Sequence, residues 1–249
     1  MLKVLRVPRP CRSFFKPVET FFSSRQWPYF QELVLAMAIA FGRRNIRNLK
    51  RHLPSGPHRT NYNRFLIGWN WNPRGVLQKL ALCKLRKMRL RKGERIYVIV
   101  DDTKRRKRGK RMAAVGKLKV VAIIASRVDW TPKRILQAHR MRWSIELFFK
   151  ETKQLLGLGD YQNLSVQSAV RHLHLMCIAY LLLTHTGDAT CARGKAKEER
   201  LCVSPRINEL QTHLRTVVLK DMMNIVERKA RKPKAFNRLL QLLSMKEAA

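Results

Sequence analysis

The sequence predicts a mixed protein of the α+β or α/β class, in which an α/β segment lies between two helical regions. Residues 94–103 form a short β-branched and aromatic run, which is typical of a buried strand. Residues 118–126 form a second apolar run, and a helical pattern follows it. Alternating strands and helices favour an α/β arrangement here, while the chain on either side shows helical periodicity.

The same patterns divide the chain into four parts. Residues 1–27 contain prolines and lack periodicity, which predicts a basic leader. A helical domain follows at 28–93, then the α/β core at 94–162 and a helical C-terminal region at 163–249. The individual helical patterns cover residues 28–45, 61–69, 73–93, 165–185 and 207–230.

The charge of the chain is strongly one-sided, because 53 Lys and Arg residues outnumber 16 Asp and Glu residues and give a formal net charge of +37. In residues 1–93 the only acidic side chains are Glu19 and Glu32. Basic side chains neutralise phosphates and release counterions, so we expect double-stranded DNA as the partner, with residues 1–112 dominating the affinity. Residues 28–93 are therefore interpreted as a helical DNA-binding domain. A basic structural protein of the ribosomal type would carry a similar charge.

The cysteines and the apolar stretches of the chain indicate where in the cell the protein is located. The five cysteines include no Cys-x-x-Cys pair, which indicates a reducing compartment and no structural zinc. The longest apolar stretch, around residues 173–184, is estimated as too short to span a bilayer. We therefore expect a soluble, cytoplasmic protein without a membrane partner.

One predicted helix carries four polar side chains on one face: His139, Arg142, Glu146 and Lys153. At about 100° per residue, the other three fall within about 40° of Glu146. Apolar side chains flank this stripe, so the charges are not part of an ordinary solvated face. A carboxylate placed among cations on apolar surface is a candidate functional site. The alternative is an amphipathic helix with a Glu146–Lys150 pair.

A second group of carboxylates lies at the end of the first predicted strand. Asp101 and Asp102 follow the apolar run directly, and Thr103 comes next. Folds of the α/β class bind ligands at the carboxyl ends of their strands. Asp102 is therefore a candidate partner for Glu146.

Asp-Thr after a strand and Arg-x3-Glu-x6-Lys on a helix together resemble the DDE transposases of bacterial insertion sequences. The subgroup pattern is Tyr-x2-Arg-x3-Glu-x6-Lys, matched by Arg142, Glu146 and Lys153, with His139 where the family has Tyr. The flanks, residues 118–143 and 155–183, resemble the family as well. In the family the first catalytic Asp precedes the Thr, which selects Asp102.

The resemblance implies an RNase H-like core and cut-and-paste DNA transposition with Mg²⁺ or Mn²⁺. It implies that Asp102 and Glu146 hold the metal, and that Arg142 and Lys153 complete the catalytic set. The partner would be the transposon ends, a homodimer in the DNA complex is compatible with it, and the location would be the bacterial nucleoid.

A basic block follows Asp102 and contains seven cations: Lys104, Arg105, Arg106, Lys107, Arg108, Lys110 and Arg111. Such a block is often only a solvated loop or resembles a nuclear targeting signal. Next to a metal-binding Asp, it predicts contact with DNA phosphates, and the family carries a basic segment in the same place.

The family's second catalytic Asp has no match. Only 43 residues lie between Asp102 and Glu146, and Asp129 is the one acidic residue among them. Asp129 matches a family position before the final helix and not the catalytic Asp. We therefore expect an internal deletion around residues 112–117, a truncated RNase H-like core and a catalytically incomplete protein. The alternatives are a DNA-binding repressor fragment, or a metal-dependent nuclease in which Asp129 serves as the third carboxylate.

Overall fold

The computed structural model of the protein describes the larger part of the chain, namely residues 2–54, 57–87, 131–133, 145–160, 165–191 and 207–231. The chain divides into two compact units, one formed by residues 1–90 with 150–249 and the other by residues 91–149. Nearly all the described residues belong to the first unit. This unit joins the front and the rear of the chain, which the sequence assigns to separate regions.

The first unit is helical. Its elements are α1 (Arg9–Phe15), a 3-10 helix (Lys16–Phe21), α2 (Gln26–Ile39), α3 (Ile46–Arg51), α4 (Arg59–Ile67), α5 (Pro73–Lys87), a π-helix (Thr152–Leu156), α7 (Val166–Cys191) and α8 (Ile207–Ala230). The helix α6 is described over residues 145–151 and leads into the π-helix.

The predicted α+β or α/β class is wrong, because every regular element in the described part of the chain is a helix. The same finding removes the support for a truncated RNase H-like core. A sheet satisfies its backbone groups between strands, whereas these helices satisfy their own and bury apolar faces against one another. The two runs on which the strands were predicted, 94–103 and 118–126, lie outside the described residues.

Helix α2 is the most buried element. Its residues from Leu33 to Ile39 are all buried, and so is Ala40 directly after it. A helix that is apolar on all sides must be enclosed. Helices α3, α4, α7 and α8 pack against it.

Helix α7 is the second central element. It packs against α1, α2, α4, α5 and α8. Among the described residues, one stretch, Val166–Gly187, is long and apolar enough to cross a membrane by length and composition, with a mean hydropathy of 1.3. The sequence-based estimate of a stretch too short to span is therefore corrected. Half of the most apolar window is buried in the protein, as in the core helix of a helical bundle.

The first 27 residues, interpreted from sequence as a basic leader, contain α1 and the 3-10 helix. Phe15 and Val18 of these helices are buried in the core. The backbone N–H of Val4 donates to the carbonyl of His52 at 2.8 Å. Arg6 forms a two-point ion pair with Asp221 of α8, at 2.6 and 2.8 Å. The segment is therefore joined to both the front and the rear of the unit.

An aromatic cluster fills the space between α2, α4 and the segment before α2. Trp71 is 5 % exposed, and its indole N–H donates to the carbonyl of Phe65 at 3.1 Å. Phe22 stacks on Phe30, with ring centroids 4.3 Å apart. Trp71 therefore anchors the core and is not a platform for stacking bases.

The C-terminal end of α2 is buried, and side chains from other elements satisfy its carbonyl groups. Gln211 Nε2 donates to Ala38 O at 2.9 Å, and Arg215 Nε donates to Ile39 O at 2.9 Å. The Ala40 carbonyl accepts from Arg215 at 3.1 Å and from Arg44 at 2.6 Å. The last carbonyls of a helix lack intrahelical partners and form its negative end, so these donors cap α2.

Candidate functional site

Two of the predicted site residues lie in the described part of the chain. Glu146, on α6, is exposed, and Lys153, in the π-helix, is exposed as well. The other predicted residues lie outside the described residues, as do the neighbours weighed with them: Asp101, Asp102, Lys104, Arg105, Arg106, Lys107, Arg108, Lys110, Arg111, Asp129, His139 and Arg142. The predicted Asp102–Glu146 pair therefore stays a prediction.

The segment that follows Glu146 is anchored on the helical unit. Thr152 and Leu156 are fully buried. The carboxylate of Glu151 accepts a hydrogen bond from the backbone N–H of Ile207, the first residue of α8, at 3.4 Å. An acidic side chain at this position also complements the positive end of α8.

The π-helix changes the spacing on which the predicted stripe depends. Residues Thr152–Leu156 are wound with i→i+5 hydrogen bonds, so the α-helical increment of about 100° per residue does not hold there. The α-helical increment holds from Glu146 to Glu151, whereas the last steps to Lys153 fall within the π-helix. Short π segments within helices are frequent at functional sites, and they have no simple sequence signal.

The π-helix ends at a glycine turn that docks against Arg44. Gly157 has φ 73°, in the left-handed region, and a Cβ atom there would lie 2.5 Å from Arg44 Cβ. The backbone N–H of Asp160 donates to Gly157 O at 3.0 Å, and the Asp160 carboxylate accepts from the Arg44 backbone N–H at 3.0 Å. Only glycine satisfies both the backbone conformation and the close approach.

Arg44 is the centre of a buried polar network. Its side chain is 3 % exposed and donates to the carbonyls of Ala40 and Gly42. His172 Nε2 donates to the Arg44 carbonyl at 2.9 Å. Burial, and then the nearby Arg215 charge, lower the pKa of Arg44 to about 10, while Asp160 acts in the opposite direction. Arg44 therefore remains charged at neutral pH.

The sequence analysis did not single out Arg44, Gly157 or Asp160. A signal exists in the sequence, because glycines closely spaced after a helix mark a tight turn. The contact between this turn and Arg44 spans 116 positions of the chain, and local patterns carry no information on it.

The described residues do not form a metal cage. No group of three His, Cys, Asp or Glu side chains in this part of the chain is placed to hold a metal ion. Glu146 supplies the oxygen ligand that Mg²⁺ prefers, but one exposed carboxylate is not sufficient. The other carboxylate proposed for this site, Asp102, lies outside the described residues.

Exposed arginines lie on α3, on α4 and in the turn before α3, and we call them the basic surface. Arg43, Arg47, Arg59 and Arg64 are exposed, and no ion pair or hydrogen bond holds their side chains within the described ranges. No Asp or Glu occurs between Glu32 and Glu94. This surface therefore presents positive charge without nearby opposition from its own segment.

One segment of the chain matches a known protein family. Residues 74–182 match the family model described as the transposase DDE domain. The matched segment contains Asp102, Arg142, Glu146 and Lys153. No curated protein and no solved structure matched the chain. By family, the match supports a DDE transposase that acts in DNA transposition.

The docking of the glycine turn on Arg44 leads to a prediction about stability. Replacing Gly157 by Ala places a methyl group against Arg44 and should cost about 1–3 kcal/mol more than a matched replacement of Gly159. Gly159 also has a positive φ, but a Cβ atom there meets nothing within 4 Å, so both variants carry the backbone cost and only one carries the clash. Urea unfolding followed by circular dichroism measures the difference. Equal midpoints would show that the turn is not held against Arg44 in solution.

Proposed function

We propose that the chain is a transposase of an insertion sequence that binds the ends of its element and is catalytically incomplete. The observation that carries this proposal is the family match over residues 74–182. That stretch contains the Arg-x3-Glu-x6-Lys pattern at Arg142, Glu146 and Lys153. The motif and the family match therefore fall on the same segment.

The partner in this proposal is double-stranded DNA. The net charge of +37 favours a polyanion, and exposed arginines lie on α3 and α4 of the helical unit. The basic block Lys104–Arg111 would contact the DNA backbone near the scissile phosphate. Removing the front of the chain is not a clean test, because α1, α2, α4 and α5 all pack against α7. Substitutions of exposed residues test the proposal without opening the core.

The catalytic set in this proposal is Asp102, Glu146, Arg142 and Lys153. Asp102 and Glu146 would hold Mg²⁺ or Mn²⁺ through their carboxylate oxygens. When bound, the metal activates the attacking hydroxyl and stabilises the leaving oxygen of the phosphodiester. Arg142 would hold a phosphate with its planar fork, and Lys153 would hold one as a point charge.

Catalytic incompleteness follows from the carboxylates that the sequence offers. Between Asp102 and Glu146 only Asp129 is acidic, and its position before Pro132 does not correspond to the family's second Asp. The account most consistent with this is an internal deletion around residues 112–117.

A fragment that occupies transposon ends and represses movement is the second candidate function, and a nuclease that uses Asp129 is the third. DNA cleavage with Mg²⁺ or Mn²⁺ that depends on Asp129 would select the nuclease.

The setting in this proposal is the bacterial cytoplasm, in association with the nucleoid and without a membrane partner. The core contacts of α7 and the basic surface support it. A homodimer bound to two DNA ends is the arrangement we propose for the complex.

DNA binding should depend steeply on salt. Each phosphate neutralised by a cation contributes about 0.9 to the slope of log K against log salt concentration. Replacing Arg105 and Arg106 by Ala should lower that slope by about two units, while Lys220→Ala with Arg228→Ala on α8, a matched loss of charge, should change it less. Fluorescence anisotropy of a labelled 30-base-pair duplex at several salt concentrations provides the measurement. A nearly flat dependence would show that phosphate neutralisation does not drive the binding, and absence of binding at low salt would remove DNA as the partner.

Glu146 should be the residue of α6 on which metal affinity depends most. Replacing Glu146 by Gln keeps the shape but removes the charge that holds a hard cation, so Mn²⁺ affinity should fall. DNA affinity should stay the same or rise, because a negative charge near the phosphates is lost. Calorimetric Mn²⁺ titration compares this variant with Asp102→Asn and with the control Glu209→Gln, which changes an exposed carboxylate of α8. Unchanged Mn²⁺ binding in both site variants would exclude a cage.

A further inference from the structure

Helix α4 has two faces of different character. Tyr62, Phe65 and Leu66 are at most 1 % exposed and face the core. Asn63, Arg64 and Ile67 lie on the opposite side, within about 100° of one another at α-helical spacing. Ile67 is 46 % exposed, and Arg64 is exposed as well.

The buried face holds α4 rigidly at several points. The Tyr62 hydroxyl donates to the carboxylate of Glu32 on α2 at 2.6 Å. Arg171 of α7 donates to Leu66 O at 2.9 Å, and Trp71 donates to Phe65 O at 3.1 Å. These bonds cap the end of the helix and tie it to two core helices. A helix fixed in this way can present its outer side chains at defined positions.

The outer face makes no polar side-chain contact with the part of the protein that the structure describes. No hydrogen bond or ion pair in the described ranges holds the side chains of Asn63 or Arg64. Thr60 differs, because its hydroxyl lies 2.9 Å from His58 Nδ1 at the start of the helix. Asn63 is half-buried and Arg64 is exposed, so among the described residues both side chains are available to a partner.

We infer that α4 is the helix with which this protein reads DNA sequence, through Asn63, Arg64 and Ile67 at base edges of the major groove. This inference rests on the proposed function and names the surface that carries it out. An α-helix with its side chains is about as wide as the major groove. Arg and Asn are the side chains that form paired hydrogen bonds with guanine and adenine, and an apolar side chain contacts the thymine methyl group.

The side chains on this face distinguish a helix that reads bases from a helix that only binds phosphates. Cations neutralise phosphates and an amide can donate a hydrogen bond to one, but an aliphatic side chain such as Ile67 gains nothing from a phosphate and suits a thymine methyl group. The exposed cations available for phosphate contact are Arg59 at the start of α4, Arg47 of α3, and Arg43 in the turn before α3. Helices α3 and α4 pack against each other, so the two groups can meet one duplex. Positive charge at the rim and Asn–Arg–Ile at the centre suit duplex DNA better than an acidic protein.

The test is a selection from duplexes with 12 randomised base pairs, carried out with the full chain. The unmodified protein should enrich a sequence motif. Asn63→Ala and Arg64→Lys should each lower the preference at one base pair by about 5- to 150-fold. Arg64→Lys keeps the charge, so the salt dependence of binding should not change. The matched control Arg228→Lys, at an exposed position in the last turn of α8, should leave the motif intact.

The outcomes that contradict the inference are distinct from those that contradict the proposed function. Duplex binding without any enriched motif, or a motif that survives both α4 variants, overturns the inference and leaves DNA binding in place. Failure to bind any duplex overturns both. Polyglutamate binding that Asn63→Ala weakens as much as duplex binding would assign the face to an acidic protein. Far-ultraviolet circular dichroism establishes that the variants retain the helical fold.

Discussion

The structure depends on how the buried C-terminal end of α2 is satisfied. The carbonyls of Ala38, Ile39 and Ala40 are removed from water and lie at the negative end of a helix. An unpaired buried carbonyl costs about 1–3 kcal/mol, so α2 can be enclosed only if donors reach these groups. Gln211 and Arg215 reach them from α8, and Arg44 from the segment after α2. Donors more than 170 positions away thus make the front and the rear of the chain one unit.

Helix α2 and the segment that follows it also hold parts of the helical unit that we associate with function. Arg44 holds the glycine turn after the π-helix through Asp160, and it meets α7 through His172. The π-helix continues the segment that carries Glu146. In the first half of α2, Glu32 accepts a hydrogen bond from Tyr62 of α4. The proposed DNA-reading helix and the turn after the π-helix are therefore both held by α2 and the segment that follows it.

The sequence predicted the helices better than their assembly. The pattern at 207–230 agrees with α8 (Ile207–Ala230). The patterns at 61–69 and 73–93 overlap α4 and α5, and residues 88–93 lie outside the described residues. The apolar residues of these helices recur at helical spacing, and this spacing can be read directly from the sequence. The pattern at 28–45 continues past the real end of α2, because Phe41 to Arg44 extend the apolar and basic run although the backbone turns there. The packing of α8 on α2 is a long-range contact, so no local pattern predicts it.

For the candidate site, the structure describes only the helical setting of Glu146 and Lys153, and the catalytic set stays a prediction. Glu146 and Lys153 lie on a helical segment as expected, but the π-helix at Thr152–Leu156 changes the spacing on which their alignment was based. The mixed fold class failed because it rested on two β-branched runs, whereas the described chain completes its core with helices alone. Arg44 could not be found from sequence, since its importance comes from burial beside residues distant in the chain.

The most direct test of this account is the stability of a variant in which one donor to the end of α2 is removed. In a chain where Trp130 and Trp143 are replaced by Phe, the remaining tryptophans Trp27, Trp69 and Trp71 report on the front of the chain. Arg215→Ala on α8 should then lower the tryptophan-detected free energy of unfolding in urea by about 1–3 kcal/mol. Lys220→Ala, an exposed residue of the same helix, should change it by less than about 0.5 kcal/mol. Equal unfolding curves for the two variants would show that α8 does not support α2, and would contradict the account.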